Sequence, residues 1–456
     1  MKIEFNSNFS SEKKYIINCV LNHFLGLQYE VIIDDSIEGY RFVLENGAFI
    51  IIADSFFSRI TKIGYLTKDF IPDTIFSMTN PINKNDELIV LYGNDECKVT
   101  RRFIKVGLDI MASTFFMLTR WEEYVVEKRD SHNRFSAYDS LAFRNDFLDK
   151  PIVNEYIEFL WSLLKHLGIN QERRLREFAI IPTHDVDLPR MWWNGLDFAK
   201  SLGGDLLKRR SFKNAVSTTK AYLQKMENGK DPFDTFDYLM DISERNNVLS
   251  HFFFMSGGVT NKDNFYMIDH PVILKLLEKI DNRGHLIGFH PSYNSYNNQD
   301  QFNKELNLLR TLSPQPIIAG RQHFLRFQSS YTWRIWDNSD MEWDSTLCYA
   351  DKEGFRCGVC YPFPVFDFIN RKQLGLIERP LIVMDGSLVS YQALNPEDAY
   401  NNVKRLVETV KKYNGEFVFL WHNSAFNTPT WQPYQHIYEK ILNENSNNSR
   451  STSAIC

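Results

Sequence analysis

The stretch Phe178-Ala179-Ile180-Ile181-Pro182-Thr183-His184-Asp185-Val186-Asp187 marks a change of texture in the chain. Its apolar half, 179–182, has the length and character of a buried strand. Its polar half puts two carboxylates two residues apart at the strand's end, where both can point into one cavity. In such a pair one carboxylate can ligate a metal while the other accepts a proton from water. Aspartates ahead of Leu188-Pro189 also make good turns and helix caps, so this segment alone leaves a structural and a chemical reading open.

Downstream, short β-rich apolar runs alternate with helical patterns. Strands are expected over 250–255, 285–289, 316–319, around 343–347, 381–384 and 416–421, with helices over 271–281, 301–312 and 396–413. The alternation predicts parallel β/α units, about seven of them, wound into a barrel that is closed or partly open. The basic, helical stretch 192–228 reads as an insertion after the first strand. Nearly every strand runs into residues capable of chemistry: Asp185 and Asp187, His290, Arg321 with His323, Asp344, Asp385 and His422. In parallel β/α folds the C-terminal strand ends line the active site, so separate pieces of sequence would meet at one mouth.

Each piece has its own logic. Gly284-His285-Leu286-Ile287-Gly288-Phe289-His290-Pro291-Ser292-Tyr293-Asn294 is an apolar strand framed by glycines and closed by a histidine at a turn. A neutral imidazole there suits zinc, and Asn294 offers an amide oxygen from the next turn, while His285 is expected to pack within the strand. In Gly320-Arg321-Gln322-His323-Phe324, a buried Arg beside a carboxylate would keep that carboxylate ionised and oriented. Backbone N–H groups of the same turn could face a developing oxyanion. His422, after the apolar run 418–421, is placed either as a general acid or as a satisfied core histidine.

Taken together, these motifs make residues 178–436 resemble the polysaccharide deacetylases of carbohydrate esterase family 4, the NodB-homology domain. The family's first motif is Thr-Phe-Asp-Asp-Gly, or Asp-Val-Asp in some members, and matches Thr183-His184-Asp185-Val186-Asp187. The resemblance implies Asp185 as base and Asp187 as metal ligand. The second motif, His-Ser-x-x-His, matches 290–294 and implies His290 and Asn294 as ligands, with Asn294 standing where the family has histidine. An amide oxygen binds zinc less well than imidazole, which favours a harder metal or leaves His184, His323 or a substrate group to complete the shell. The third motif implies that Arg321 pairs with the base and that the Phe324 N–H is the oxyanion donor, although the family's prolines are missing here. Leu420-Trp421-His422 matches the family's Leu-x-His; an Asp tunes that histidine, with Asp344 the first candidate and Asp385 the second. His323, Trp421 and Tyr293 are the expected substrate contacts. The implied activity is hydrolysis of an N- or O-linked acetyl group from a carbohydrate in bacterial surface-polysaccharide metabolism, with a divalent metal, zinc by donor type. An amidohydrolase acting on a small amide and a catalytically silent carbohydrate-binding homologue are the competing readings, the latter favoured by Asn294.

The front of the chain reads differently. Over 1–170 a smaller α+β accessory domain is expected, with strands at 29–33, 41–44, 48–52 and 87–91, a hairpin at Asn46-Gly47, and helices over 10–25, 108–125 and 153–167. A charged linker, 171–177, separates it from a distorted (β/α)7-type barrel of the NodB kind over 178–440, and 441–456 is expected to be a flexible tail. Trp121-Glu122-Glu123-Tyr124 and the polar run 129–135 read as an interdomain seam.

Composition excludes several classes. A net charge of -5 argues against the basic field of a nucleic-acid binder. The aromatic share of 14% reads first as core packing. Six scattered cysteines are too sparse for a disulfide framework, and Cys357 and Cys360 lack a second zinc pair, so both are expected to be structural thiols in a reducing compartment. Neither a signal-peptide pattern nor a run of eighteen apolar residues is present, which predicts a cytoplasmic protein without a transmembrane helix. Nothing in the sequence sets an oligomeric state.

Overall fold

A computed structural model describes residues 1–60, 64–263 and 265–445. The chain is mixed α/β and forms two compact units. One comprises Met1–Arg176 with Arg326–Tyr349 and Gly354–Pro380; the other comprises Glu177–Leu325 with Ala350–Glu353 and the described residues from Leu381 to Asn445. Segments 326–349 and 354–380, placed by the sequence reading within 178–440, therefore belong to the first unit.

The second unit carries six parallel strands, in the order Ala319–Gly320, Leu286–Phe289, His251–Phe254, Ala179–Val186, Glu416–Leu420, Leu381–Met384. The strand Ala179–Val186 sits at the middle, with Thr183 in register with His251 on one side and Leu420 on the other. It is buried along its whole length and extends four residues past the expected end. Helices Phe236–Arg245, Pro271–Asn282, Gln299–Leu312 and Pro396–Lys412 lie between strands in the chain. Their apolar positions follow the helical period: Ile273, Leu276, Leu277 and Ile280 are all buried. Phe252, Phe253 and Phe254 are fully buried in the strand that precedes them, and loss of one such ring costs about 3–5 kcal/mol. At Gly320 a Cβ would lie 1.9 Å from the carbonyl oxygen of Phe289, so only glycine allows these two strands to approach.

Six of the seven expected strands lie in the second unit. The seventh, Trp343–Asp344, pairs in parallel with Lys372–Glu378 in the first unit. Lys372–Glu378 in turn forms an antiparallel ladder with Phe363–Asp367. That ladder has no β/α rhythm and was not anticipated.

The first unit also holds a mixed six-stranded sheet, ordered Glu30–Ile33, Lys2–Phe5, Tyr40–Val43, Phe49–Ile52, Phe103–Leu108, Gly93–Val99. Asn46-Gly47 joins an antiparallel pair as expected, with Gly47 at φ 76°. The helix anticipated over 108–125 is two helices, Ile110–Thr119 and Trp121–Val125, because Arg120 adopts φ 54° and stops the first. Glu122 and Glu123, read as seam residues, are buried inside this unit. Residues 441–445, expected in the tail, are the last of the helix Gln435–Asn445, and 446–456 lie outside the described residues. Cys357 and Cys360 are buried free thiols. Among the described residues no helix is long and apolar enough to cross a membrane.

Candidate active site

Because the six strands are parallel, their C-terminal ends share one edge of the sheet. Asp185 lies in the strand Ala179–Val186 and Asp187 just beyond it; side chains two residues apart in an extended chain face the same way. His184, one residue out of phase, goes to the opposite side. Its Nδ1 lies 2.6 Å from the Trp421 carbonyl oxygen, its Nε2 3.3 Å from Ser250 Oγ, and its ring stacks on Phe252 at 4.8 Å. Burial pushes its pKa down to about 3, so the ring is neutral, and its contacts with Trp421, Ser250 and Phe252 make it a packing residue.

Asp185 is 3% exposed, and its Oδ1 accepts a hydrogen bond from Arg321 Nη1 at 2.9 Å. The same guanidinium nitrogen donates to Thr183 Oγ1, also at 2.9 Å, and Thr183 donates to the Phe419 carbonyl. Arg321 is fully buried and lies over the Phe253 ring. The expected pairing of Arg321 with Asp185 is therefore present in the structure.

Asp187 lies among three imidazoles. Its Oδ1 is 3.2 Å from His290 Nε2 and 3.7 Å from His323 Nε2, and its Oδ2 is 3.7 Å from His422 Nε2. One ligand atom each from Asp187, His290 and His323 falls within 4.8 Å of the others, a group that could hold a metal ion. Burial raises the Asp187 pKa, but His323, His290 and His422 outweigh it and hold the carboxyl well below the usual range. Its Oδ1 is buried and lacks a normally aligned hydrogen bond, although His290 Nε2 is close. An ionised oxygen in that condition suits a cation.

The outer nitrogens of the two ligand histidines are also held. His290 Nδ1 lies 2.6 Å from the Arg321 carbonyl oxygen, which fixes a proton on Nδ1 and turns Nε2 toward Asp187. His323 Nδ1 lies 3.1 Å from Asp263 Oδ1. Asp263 also accepts from the Tyr293 N–H at 2.8 Å and from Thr260 Oγ1 at 2.6 Å. Gly258, at φ 120°, makes room for it, since a Cβ there would lie 2.3 Å from the Asp263 Cβ. Sequence reasoning missed Asp263 because it sits in a loop, nine residues after its strand; the Gly257-Gly258 pair was the available signal of a crowded backbone.

Asn294 is not in this group. It is exposed and precedes the short 3₁₀ turn Ser295–Asn297. Residues 290–294 form a turn, neither helix nor strand, so neither regular spacing brings Asn294 onto the face of His290. His323, expected as a substrate contact, is the residue beside Asp187 instead.

His422 hangs on Asp385: its backbone N–H donates to Oδ2 and its Nδ1 lies beside Oδ1, both at 2.8 Å. Met384 and Leu420 are paired in neighbouring strands, so the residues that follow them meet. Asp344, the first candidate for this role, is in the first unit and accepts a hydrogen bond from Thr346. Burial lowers the His422 pKa, but Asp385 and then Asp187 and Asp185 outweigh it, bringing it up to about 10. Phe324 follows His323 at φ 61° and Leu325 at φ 54°, two consecutive left-handed non-glycine residues of the kind found at functional sites. Tyr293 packs edge-on against Phe324 at 5.3 Å. Trp421 is 1% exposed, donates to the Ala425 carbonyl and packs on Phe426, so it is a core residue rather than a surface for substrate.

Comparison with known proteins adds limited detail. A family of unknown function, DUF7033, matches residues 1–169. No curated protein matches the sequence. Among solved structures, a polysaccharide deacetylase candidate from Mycobacterium smegmatis is similar at 14% identity and a TM-score of 0.38, over 59% of this chain and 84% of that one. A CE4 family pseudoenzyme from Bacillus anthracis is similar at 13% identity and a TM-score of 0.29, over 59% of this chain and 61% of that one. A mutant of the latter with restored enzymatic activity is also similar, at 13% identity and the same TM-score. Likeness at these values does not specify a function.

Proposed function

We propose that this chain is a metal-dependent hydrolase that removes an acyl group, acetyl in the simplest case, from a carbohydrate. The observation that carries the proposal is the convergence of Asp187, His290 and His323, with Asp185 held by Arg321 and His422 held by Asp385 beside them. One carboxylate and two imidazoles with open Nε2 atoms are donors suited to zinc, so Asp187, His290 and His323 would hold the ion. A divalent ion there would supply Lewis acidity toward an acyl carbonyl and toward water. Asp185, kept ionised by Arg321, is the base that takes a proton from water. His422, anchored at Nδ1 by Asp385, donates the proton on its Nε2 to the leaving amine or alkoxide. The Phe324 N–H is the donor the motif resemblance assigns to the developing oxyanion, since the His323 and Leu325 N–H groups donate to the Pro291 and Gln322 carbonyls. The carbohydrate assignment rests on the motif resemblance, and a NodB-type fold for the second unit is part of the same proposal.

The test is acetate release from acetylated sugars, measured with chelated protein and again after adding back metal. Activity that chelation removes, metal restores, and Asp185→Asn or His422→Ala abolishes is the expected result. Full activity in those two variants would sink the mechanism.

A further inference from the structure

The stretch 192–230 carries eight Lys or Arg and three Asp or Glu, a net charge of +5 in a chain whose total is -5. It folds as the helices Gly195–Gly203 and Phe212–Asn228, joined through Gly204–Lys208. The two helices have an internal seam. Phe198 stacks on Tyr222 at 3.9 Å, Trp192 meets both edge-on, and Thr218 Oγ1 donates to Asp205 at 2.6 Å. Lys225 is used inside the hairpin, bonded to Asp231 and the Trp192 carbonyl.

A neighbouring face of Phe212–Asn228, about 100° round the helix from Thr218 and Tyr222, is apolar and exposed. Phe212, Val216, Leu223 and Met226, with Thr219 between them, recur at steps of four and three residues and so line one stripe. Phe212 is 77%, Leu223 63% and Met226 69% exposed, and Leu207, just ahead of the helix, is 81% exposed. Contiguous apolar exposure of this kind marks an interaction surface. Its rim is basic: Lys208-Arg209-Arg210 adjoins Leu207, while Lys213 and Lys220 flank the stripe and are exposed. An apolar stripe with a cationic border is the pattern of a helix lying in the interface of an anionic bilayer.

We infer that the hairpin 192–230 is a peripheral membrane anchor that seats the protein on anionic lipid headgroups. Charge complementarity selects this occupant. A second copy would set Lys213, Lys220 and the basic run against their own images. The rest of the chain carries a net charge of -10, so an anionic surface attracts the molecule by this hairpin and repels the remainder. The inference is independent of the chemistry at Asp187.

The experiment is co-sedimentation of the full chain with vesicles of equal parts phosphatidylcholine and phosphatidylglycerol, against vesicles of phosphatidylcholine alone. Binding to the anionic vesicles only, falling as salt is raised, is expected. The variant Lys208→Gln/Arg210→Gln/Lys213→Gln should weaken binding on the order of 100-fold, taking about fivefold per basic residue. Phe212→Ser/Leu223→Ser should also release the protein. Circular dichroism and the thermal midpoint should be unchanged in both, because the residues are exposed. The inference is overturned if the wild-type chain does not sediment with anionic vesicles, or if both variants bind as well as wild type. It is equally overturned if the chain self-associates without lipid and Phe212→Ser/Leu223→Ser abolishes only that.

Discussion

Both units bury charged side chains, and they do so to different ends. In the first, Glu123 takes Arg356 on both carboxylate oxygens at 2.8 and 2.6 Å and Arg120 on one at 2.8 Å, with all three residues at most 2% exposed. Arg120 and Arg356 bond further to the Met117 and Cys348 carbonyls. In the second, Asp187 has imidazoles on three sides and a buried oxygen without an aligned donor. A closed network of charge-assisted bonds fixes a fold. A carboxylate ringed by imidazoles is prepared for a cation. The outer nitrogens of His290, His323 and His422 are each tied to a carbonyl or a carboxylate, so the ring of imidazoles is ordered rather than slack.

This contrast can be broken most directly at the two carboxylates. Asp185→Asn should lower turnover on the order of 10²–10⁴-fold, the range for loss of a general base, with metal content by mass spectrometry unchanged. Glu123→Ala should leave metal content unchanged but cost about 3–5 kcal/mol in urea unfolding, because two buried guanidiniums lose their partner. If Glu123→Ala instead strips metal while leaving stability intact, the division between structural and ligand-facing charge fails.

A finer test is Asp263→Asn. Loss of the carboxylate behind a ligating histidine should weaken zinc binding about 10–100-fold by competition titration, and ¹⁵N shifts of His323 should reveal a changed tautomer even without metal. Asn294→Ala should change affinity by less than about twofold, since a peripheral substitution removes no ligand. A large loss there would restore Asn294 as a ligand.

The two regions should also differ in pH response. His422 is raised from its ordinary value to about 10 in the metal-free protein. Its contribution to stability is therefore complete below the ordinary histidine pKa and is lost as pH rises toward 10. In Glu123, burial raises the pKa, but Arg356 and Arg120 outweigh it and bring it down to about 2. That contribution is complete above the ordinary glutamate pKa and is lost as pH falls toward 2. Urea midpoints across pH should show His422→Asn flattening only the alkaline limb and Glu123→Gln only the acid limb. Bound metal should lower the His422 titration, because a cation at Asp187 opposes its proton.

Periodicity and strand–helix alternation in the sequence were enough to locate six parallel strands, and the polar residues at their ends supplied Asp185, Asp187, His290, Arg321 and His422. These features are local, set by side-chain period and chain direction. Pairing decisions were not local. Asp385 rather than Asp344 reached His422 because two strands are neighbours in the sheet, and His323 rather than Asn294 came beside Asp187 because 290–294 turns and leaves Asn294 exposed. Asp263 entered from a loop that only Gly258 lets close. Segments 326–349 and 354–380 joined the first unit through a ladder with no signature in the β/α rhythm. By itself the sequence determined which chemistries were available and which strands would carry them. Tertiary structure alone decided which side chains meet, because hydrogen-bonding neighbours in a sheet are chosen by packing across the whole unit and not by spacing along the chain.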